Sequence, residues 1–408
     1  MRSMKNTIPE NRPRASCRAA PRLESMSGYA FDELDRMRDA RLAAGVDVID
    51  FGVGDPTESP PDVVVEAAQR GLDAHRRSGY PSYNGSHAFR SAVSTWFSRR
   101  HGVTLDAETC ITSSVGSKEA VFHLPLAFVA EGEVVLVPSP GYPPYARGTA
   151  MAGGRVCTYA VTPDGPLLPD LDSLAPDVSE ALRVVWITQP HVPTGRCATL
   201  EELTHLANQC RERGVLLCSD EAYSELWLER PAVSALETGL EGVLVFQSLS
   251  KRAAMTSYRV GFVAGDPEAV ATFRRLKLNV DSGTPAFIQE AAVVALEDDE
   301  ASKVARAEYA RRIDALLPAL RELGCEAQRP QAGFYLWIGT PGGQSGLEFA
   351  RRLLSEAPAL VVMPGEWLSD PVAKVARQPG DGKVRLAVVP SHDRCLEAAE
   401  RLRQWHQQ

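Results

Sequence analysis

Residues 248–265, SLSKRAAMTSYRVGFVAG, continue the apolar run GVLVFQ and set Lys251 eight residues before Arg259, with Gly261 two residues further on. An isolated lysine is by default a solvated surface group. Here a β-branched apolar run reads as a buried strand, and the small, hydroxyl-rich turn after it delivers the lysine to the strand's carboxyl end. Ligands of open α/β sheets bind at the carboxyl ends of strands. The stretch therefore predicts an α/β fold with a lysine at its ligand site.

Outward from this stretch the chain alternates helix and strand patterns. EVVLVPSPGY (133–142), RVVWITQP (183–190), GVLLCSDEAY (214–223) and VGFVAGD (260–266) are short apolar strands closed by small, polar or proline residues, and DVIDFGVG (47–54) is another. Segments 30–45, 61–77, 87–102 and 200–214 carry helical periodicity. This order predicts a mainly parallel sheet covered by helices on both faces. From about residue 290 the pattern changes to a long helix (302–324), the strand GFYLWIG (333–339), another helix and KVRLAVV (383–389), a smaller α+β unit. The expected division is an arm over residues 1–25, a segment 26–55 packing with the small unit, a large domain over 56–290 and a small C-terminal domain over 291–408.

With 408 residues the chain exceeds the roughly 250–300 at which a single core stops growing, which also favours two domains. The net charge of −8 comes from interspersed acids and bases, so no nucleic-acid or anionic-membrane footprint is expected and a small molecule is the expected partner. No apolar run approaches the ~18 residues of a membrane span, and the N-terminal stretch lacks a signal's apolar core, pointing to the cytoplasm. Eight scattered cysteines without CxxC or Cys/His spacing read as reduced packing residues, with no metal. The proline- and arginine-rich first 25 residues read as a flexible arm rather than a transit peptide, given Glu10 and Glu24. His75, His101 and His205 read as surface residues.

Chemistry-bearing residues gather where apolar runs end. ITSSVGSKEAVFHLPLAF (111–128) reads as strand, glycine turn and a helix starting near Ser117, whose free N–H groups suit a phosphate. Asp220 closes a strand, where an unpaired carboxylate is costly and calls for a cationic or protonated partner. Tyr223 follows three residues on, and Tyr142 in PSPGYPPY can present its face to a ring. A desolvated amine that condenses with an aldehyde, a buried aspartate that holds a heterocyclic nitrogen protonated and a helix N-terminus with hydroxyls and an arginine together point to pyridoxal 5'-phosphate.

On these motifs the chain resembles the class I/II aminotransferase family of fold-type I pyridoxal-phosphate enzymes over roughly residues 28–395, and is most similar to its diaminopimelate aminotransferase branch. The resemblance implies a seven-stranded-type sheet, Lys251 as Schiff-base lysine and proton carrier, and a phosphate held by Ser117, Lys118, Ser248, Ser250 and Arg259. It implies Asp220 on the pyridinium nitrogen, Tyr223 on the phenolic oxygen and Tyr142 stacked on the ring. Tyr80 is implied to reach the neighbouring subunit's phosphate in a homodimer with shared sites. Arg385 is implied to grip the substrate α-carboxylate bidentately, with Tyr29 and Gly54 on the substrate side.

Two departures stand out. Where the family carries asparagine before Pro-Thr-Gly this chain has Val192, which cannot donate a hydrogen bond, and His191 beside it is expected to point the other way in an extended segment. Ser282 stands where the diaminopimelate branch often has asparagine, so the specificity for the substrate's distal group does not carry over. The resemblance implies an aminotransferase. Val192 favours the alternative of a lyase or carbon-joining enzyme on the same scaffold, acting for instance on S-adenosylmethionine. A non-catalytic ligand-binding module is the third reading and needs a DNA-binding domain, for which the arm is too short. The bland readings are a structural Lys251–Asp220 salt bridge, core packing for Tyr80, Tyr142 and Tyr223, and a solvated Lys118.

Overall fold

The computed structural model describes residues 20, 23, 32–56, 58–373 and 375–407. The expected N-terminal arm, save residues 20 and 23, and Tyr29 lie outside the described residues. Strand β1 (Ile49–Asp50) pairs in parallel with a strand late in the chain, and β2 (Ile111–Ser114) opens the main sheet. There follow β3 (Val134–Ser139), β4 (Arg155–Ala160), β5 (Leu182–Thr188), β6 (Leu216–Asp220), β7 (Val243–Ser248) and β8 (Gly261–Gly265). These form a seven-stranded sheet in the order β2-β8-β7-β6-β5-β3-β4, in which β8 alone runs antiparallel to both its neighbours.

The strands are buried on both faces because alternate side chains feed different cores. Leu136, Val185, Ile187, Leu217 and Val245 join one cluster, with Trp96 and Phe262, while Val135, Val137, Val184, Trp186 and Phe246 join another on the opposite face. Strand β4 was not legible as a strand in the sequence. It is the sheet's outer edge, and its two leading residues are exposed. A half-solvated edge carries no continuous apolar run.

A further core joins Leu34, Ile49 and Phe51 to residues after 312, such as Ile313, Leu336, Phe349 and Leu386. Around it lie the long helix Glu300–Glu322, a three-stranded antiparallel sheet of β9 (Tyr335–Gly339), β11 (Met363–Pro364) and β12 (Lys383–Ala387), and the pair of β1 with β10 (Leu360–Val361). Pairing of Ile49 with Leu360 pins the stretch Phe51–Gly54 against this unit, facing the carboxyl ends of β6 and β7.

Among the described residues no helix is long and apolar enough to cross a membrane, and no group of histidine, cysteine and carboxylate side chains is arranged to hold a metal ion. His101 corrects the surface expectation. Its side chain is fully buried against Trp96, with Nδ1 2.8 Å from Glu237 Oε1.

Candidate active site

Strand β7 ends at Ser248, whose hydroxyl accepts from Ser250 N at 3.2 Å and starts the single helical turn Leu249–Arg252. The turn is anchored by Arg252, a buried guanidinium 2.6 Å from Glu225 and 2.6 Å from Asp299. That anchorage fixes Lys251 next to it. Lys251 Nζ donates to Gly54 O at 2.8 Å. Burial lowers the amine to about 8 against the opposing pull of Asp55, and Arg259 and Arg385 push the same way as burial.

Asp220 closes β6 and is 6% exposed. Tyr145 Oη donates to Oδ2 at 3.0 Å and Ala222 N to Oδ1 at 3.2 Å, but no cation among the described residues reaches it. Burial raises the carboxyl to about 6, with these hydrogen bonds pulling the other way. The bland salt-bridge reading therefore fails, since Lys251 and Asp220 form no ion pair.

Gly116 caps the helix Ser117–Phe128 without any side-chain cap, leaving the first amides open at the positive end of the helix. Gly116 has φ +74°, and a Cβ there would lie 2.2 Å from Arg259 Nη2, so only glycine lets the guanidinium settle over the helix start. Arg259 itself has φ 55°, a sparsely populated conformation for a non-glycine residue. It is held there by Nη1 donating to Thr256 O at 2.7 Å and Ser250 Oγ at 3.4 Å.

Across the cavity, Tyr223 Oη lies 3.0 Å from Tyr335 Oη. Arg385 donates to Gly52 O at 2.6 Å, while its Nε is buried without a partner. Val192 lines the cavity and, like Tyr223, packs against the cluster that holds Phe334 and Tyr335, whereas His191 turns away, with Nε2 3.2 Å from Pro140 O and Nδ1 2.9 Å from Thr194 Oγ1. The segment is a turn, not the extended segment expected, and His191 is not among the residues that line the cavity.

Gly54, Val192, Arg385 and all the residues given a cofactor role from sequence except Tyr80 line one cavity of about 280 Å³. Tyr29 lies outside the described residues, and Tyr80 is 85% exposed and not part of this cavity. Ser282 is exposed too. Lys118 is an exposed residue at the cavity's rim. Sequence reading missed Tyr145, Thr188, Thr256 and Tyr335, which also line it. Tyr145 stood in the quoted PSPGYPPY motif, and its position three residues after Tyr142, at a helix start, was the available signal.

A family model described as aminotransferase class I and II matches residues 46–402. The chain belongs to that family. An LL-diaminopimelate aminotransferase of Aquifex aeolicus is 40% identical over 94% of this chain and 97% of its own, and one of Desulforudis audaxviator is 38% identical over the same shares. Among solved structures, a single mutant of Thermus thermophilus aspartate aminotransferase superposes with a TM-score of 0.86 at 28% identity, covering 95% of this chain and 99% of its own. A probable N-succinyldiaminopimelate aminotransferase of the same organism gives 0.84 at 28% identity, covering 92% and 100%.

As a class I and II aminotransferase this chain is a pyridoxal 5'-phosphate-dependent transferase. The cavity fits that cofactor on its own chemistry. It offers a buried carboxylate lacking a cation, an open helix N-terminus under an arginine, and an amine lowered towards neutrality. None of the relatives named above supports the lyase alternative.

Proposed function

We propose that this aminotransferase moves the amino group of a carboxylate-bearing amino acid to a 2-oxo acid with Lys251 as the covalent attachment point and proton carrier. The observation that carries the reading is the meeting of Lys251, Asp220 and Arg385 around one cavity without pairing to each other. Bound pyridoxal phosphate supplies an aldehyde that condenses with amines and a ring that withdraws the electrons left at Cα. Asp220 holds a proton on the ring nitrogen. Tyr223 donates to the phenolic oxygen, Tyr142 covers the ring face, and Ser117, Lys118, Ser248, Ser250 and Arg259 hold the phosphate. Arg385 presents its planar fork to the substrate carboxylate, and its unpartnered Nε is one donor ready for it. Gly54 gives up its hydrogen bond to Lys251 when the amine is engaged.

The substrate named in the relatives, LL-diaminopimelate, is the first donor to test, because Val192 and Ser282 leave the distal-group preference open. Holoprotein incubated with this compound, a panel of amino acids and S-adenosylmethionine is expected to release a 2-oxo acid and to pass stoichiometrically to the pyridoxamine form. Elimination products with no conversion to the pyridoxamine form overturn the reading in favour of lyase chemistry.

We also propose a homodimer in which Tyr80 completes the partner's phosphate site. Tyr80 is 85% exposed, and Tyr83, Leu278 and Val280 are further exposed apolar residues. The two stretches adjoin, since a Cβ on Gly283 would lie 2.6 Å from Ser82 O. Tyr80→Phe and Lys251→Ala proteins, unfolded and refolded together at limiting cofactor, are expected to recover about a quarter of wild-type activity, from one intact site in each hybrid. Activity no higher than the mean of the separate homodimers removes the shared site.

A further inference from the structure

Tyr335 opens β9 and is 6% exposed. In the antiparallel pairing of β9 with β12 it stands opposite Ala387, two residues from Arg385, so the phenol and the guanidinium share one face of the sheet. The Arg385 guanidinium carbon sits 4.6 Å from the centroid of the Tyr335 ring. At its other end the Tyr335 hydroxyl is 3.0 Å from that of Tyr223, which has no other side-chain hydrogen-bond partner among the described residues. The same hydroxyl fills the space beside Gly54, where a Cβ would come within 1.9 Å of it. One side chain thus touches the arginine, the phenol of Tyr223 and the backbone that caps Lys251.

We propose that Tyr335 is a positioning residue: its hydroxyl donates to Tyr223 and so sets how strongly Tyr223 donates to the cofactor's phenolic oxygen, while its ring fixes the plane of Arg385. This rests on the roles of Tyr223 and Arg385 given above. In the bare pair either hydroxyl can donate. A negatively charged oxygen in the cavity draws the Tyr223 proton, which leaves the Tyr223 oxygen as acceptor and Tyr335 as donor. Two hydroxyls aligned in one direction polarise each other, and the terminal donor is strengthened. Val192 on the cavity wall adds no donor, so this chain of hydroxyls carries the load.

The ring and the hydroxyl separate cleanly in two variants of the holoprotein. Tyr335→Phe keeps the ring and loses the donor. Its visible absorption band is expected to titrate with a midpoint about half to one pH unit higher, because a less stabilised phenolic oxygen holds the neighbouring proton more tightly. Its KM for the amino acid is expected to stay within about twofold. Tyr335→Leu loses both, so the same rise in midpoint is expected together with a KM increase of about five- to tenfold. A Phe midpoint within about 0.1 unit of wild type overturns the hydroxyl's role, and an unchanged KM in the Leu variant overturns the ring's. A wild-type protein that shows no visible band with pyridoxal phosphate overturns the functional reading itself, and with it this inference.

Discussion

Lys251→Ala is expected to bind pyridoxal phosphate without linking to it and to lose about 10⁴-fold or more of kcat, since positioned acid–base work alone is worth roughly 10²–10⁴-fold and the nucleophile is lost as well. The substitution is mild for the fold, because the turn is held by Ser248 and by Arg252 on Glu225 and Asp299 rather than by the amine. In the wild type, burial lowers the amine to about 8. Only the neutral amine attacks an aldehyde, so cofactor uptake by the apoprotein is expected to rise with pH through a midpoint near 8. At that pH the neutral fraction is roughly a hundredfold that of an ordinary lysine. Borohydride reduction followed by peptide mapping is expected to mark Lys251, and an adduct on any other lysine overturns the assignment.

The second large effect is expected at Asp220. Without its carboxylate the ring nitrogen has no group to hold its proton, and kcat of Asp220→Ala is expected to fall by about 10³-fold, the upper range seen when one preorganised electrostatic partner is removed. The fold is expected to survive. Tyr145 Oη, which donates to Asp220, also lies 3.1 Å from Thr188 Oγ1, and its ring stacks on Trp186 at 4.8 Å. No buried cation is left behind, so the usual penalty for breaking a buried pair does not arise. Circular dichroism and a thermal melt check the fold, and exchange of the substrate's Cα proton with solvent checks the chemistry. Exchange near the wild-type rate in a folded Asp220→Ala protein removes the residue from the mechanism.

Where sequence reading succeeded and failed follows from how far apart the interacting groups lie along the chain. Lys251 and Asp220 were legible because each follows or closes a continuous apolar run, and a strand buried on both faces can hardly look otherwise, while Ser117 was legible from the glycine turn that starts its helix. Tyr335 was not. Nothing local distinguishes it from the other apolar residues of GFYLWIG, and its partner Tyr223 is 112 residues away. Tyr145 was passed over because a tyrosine at a helix start is ordinary until the sheet brings β6 and its carboxylate beneath it.

The sequence by itself determined the strand ends, the helix start at Ser117, the lysine and arginine of the β7–β8 connection, and hence the family, because these depend on short-range periodicity and turn chemistry. Tertiary structure alone decided the order β2-β8-β7-β6-β5-β3-β4 and the edge position of β4, which depend on pairings between distant segments. It also decided that Gly54 has to be glycine, since the clash it avoids is with Tyr335. And it decided the proton affinity of the two central groups. The same desolvation lowers the Lys251 amine and raises the Asp220 carboxyl, and desolvation exists only once the sheet, the helices and the segment Phe51–Gly54 have closed around them.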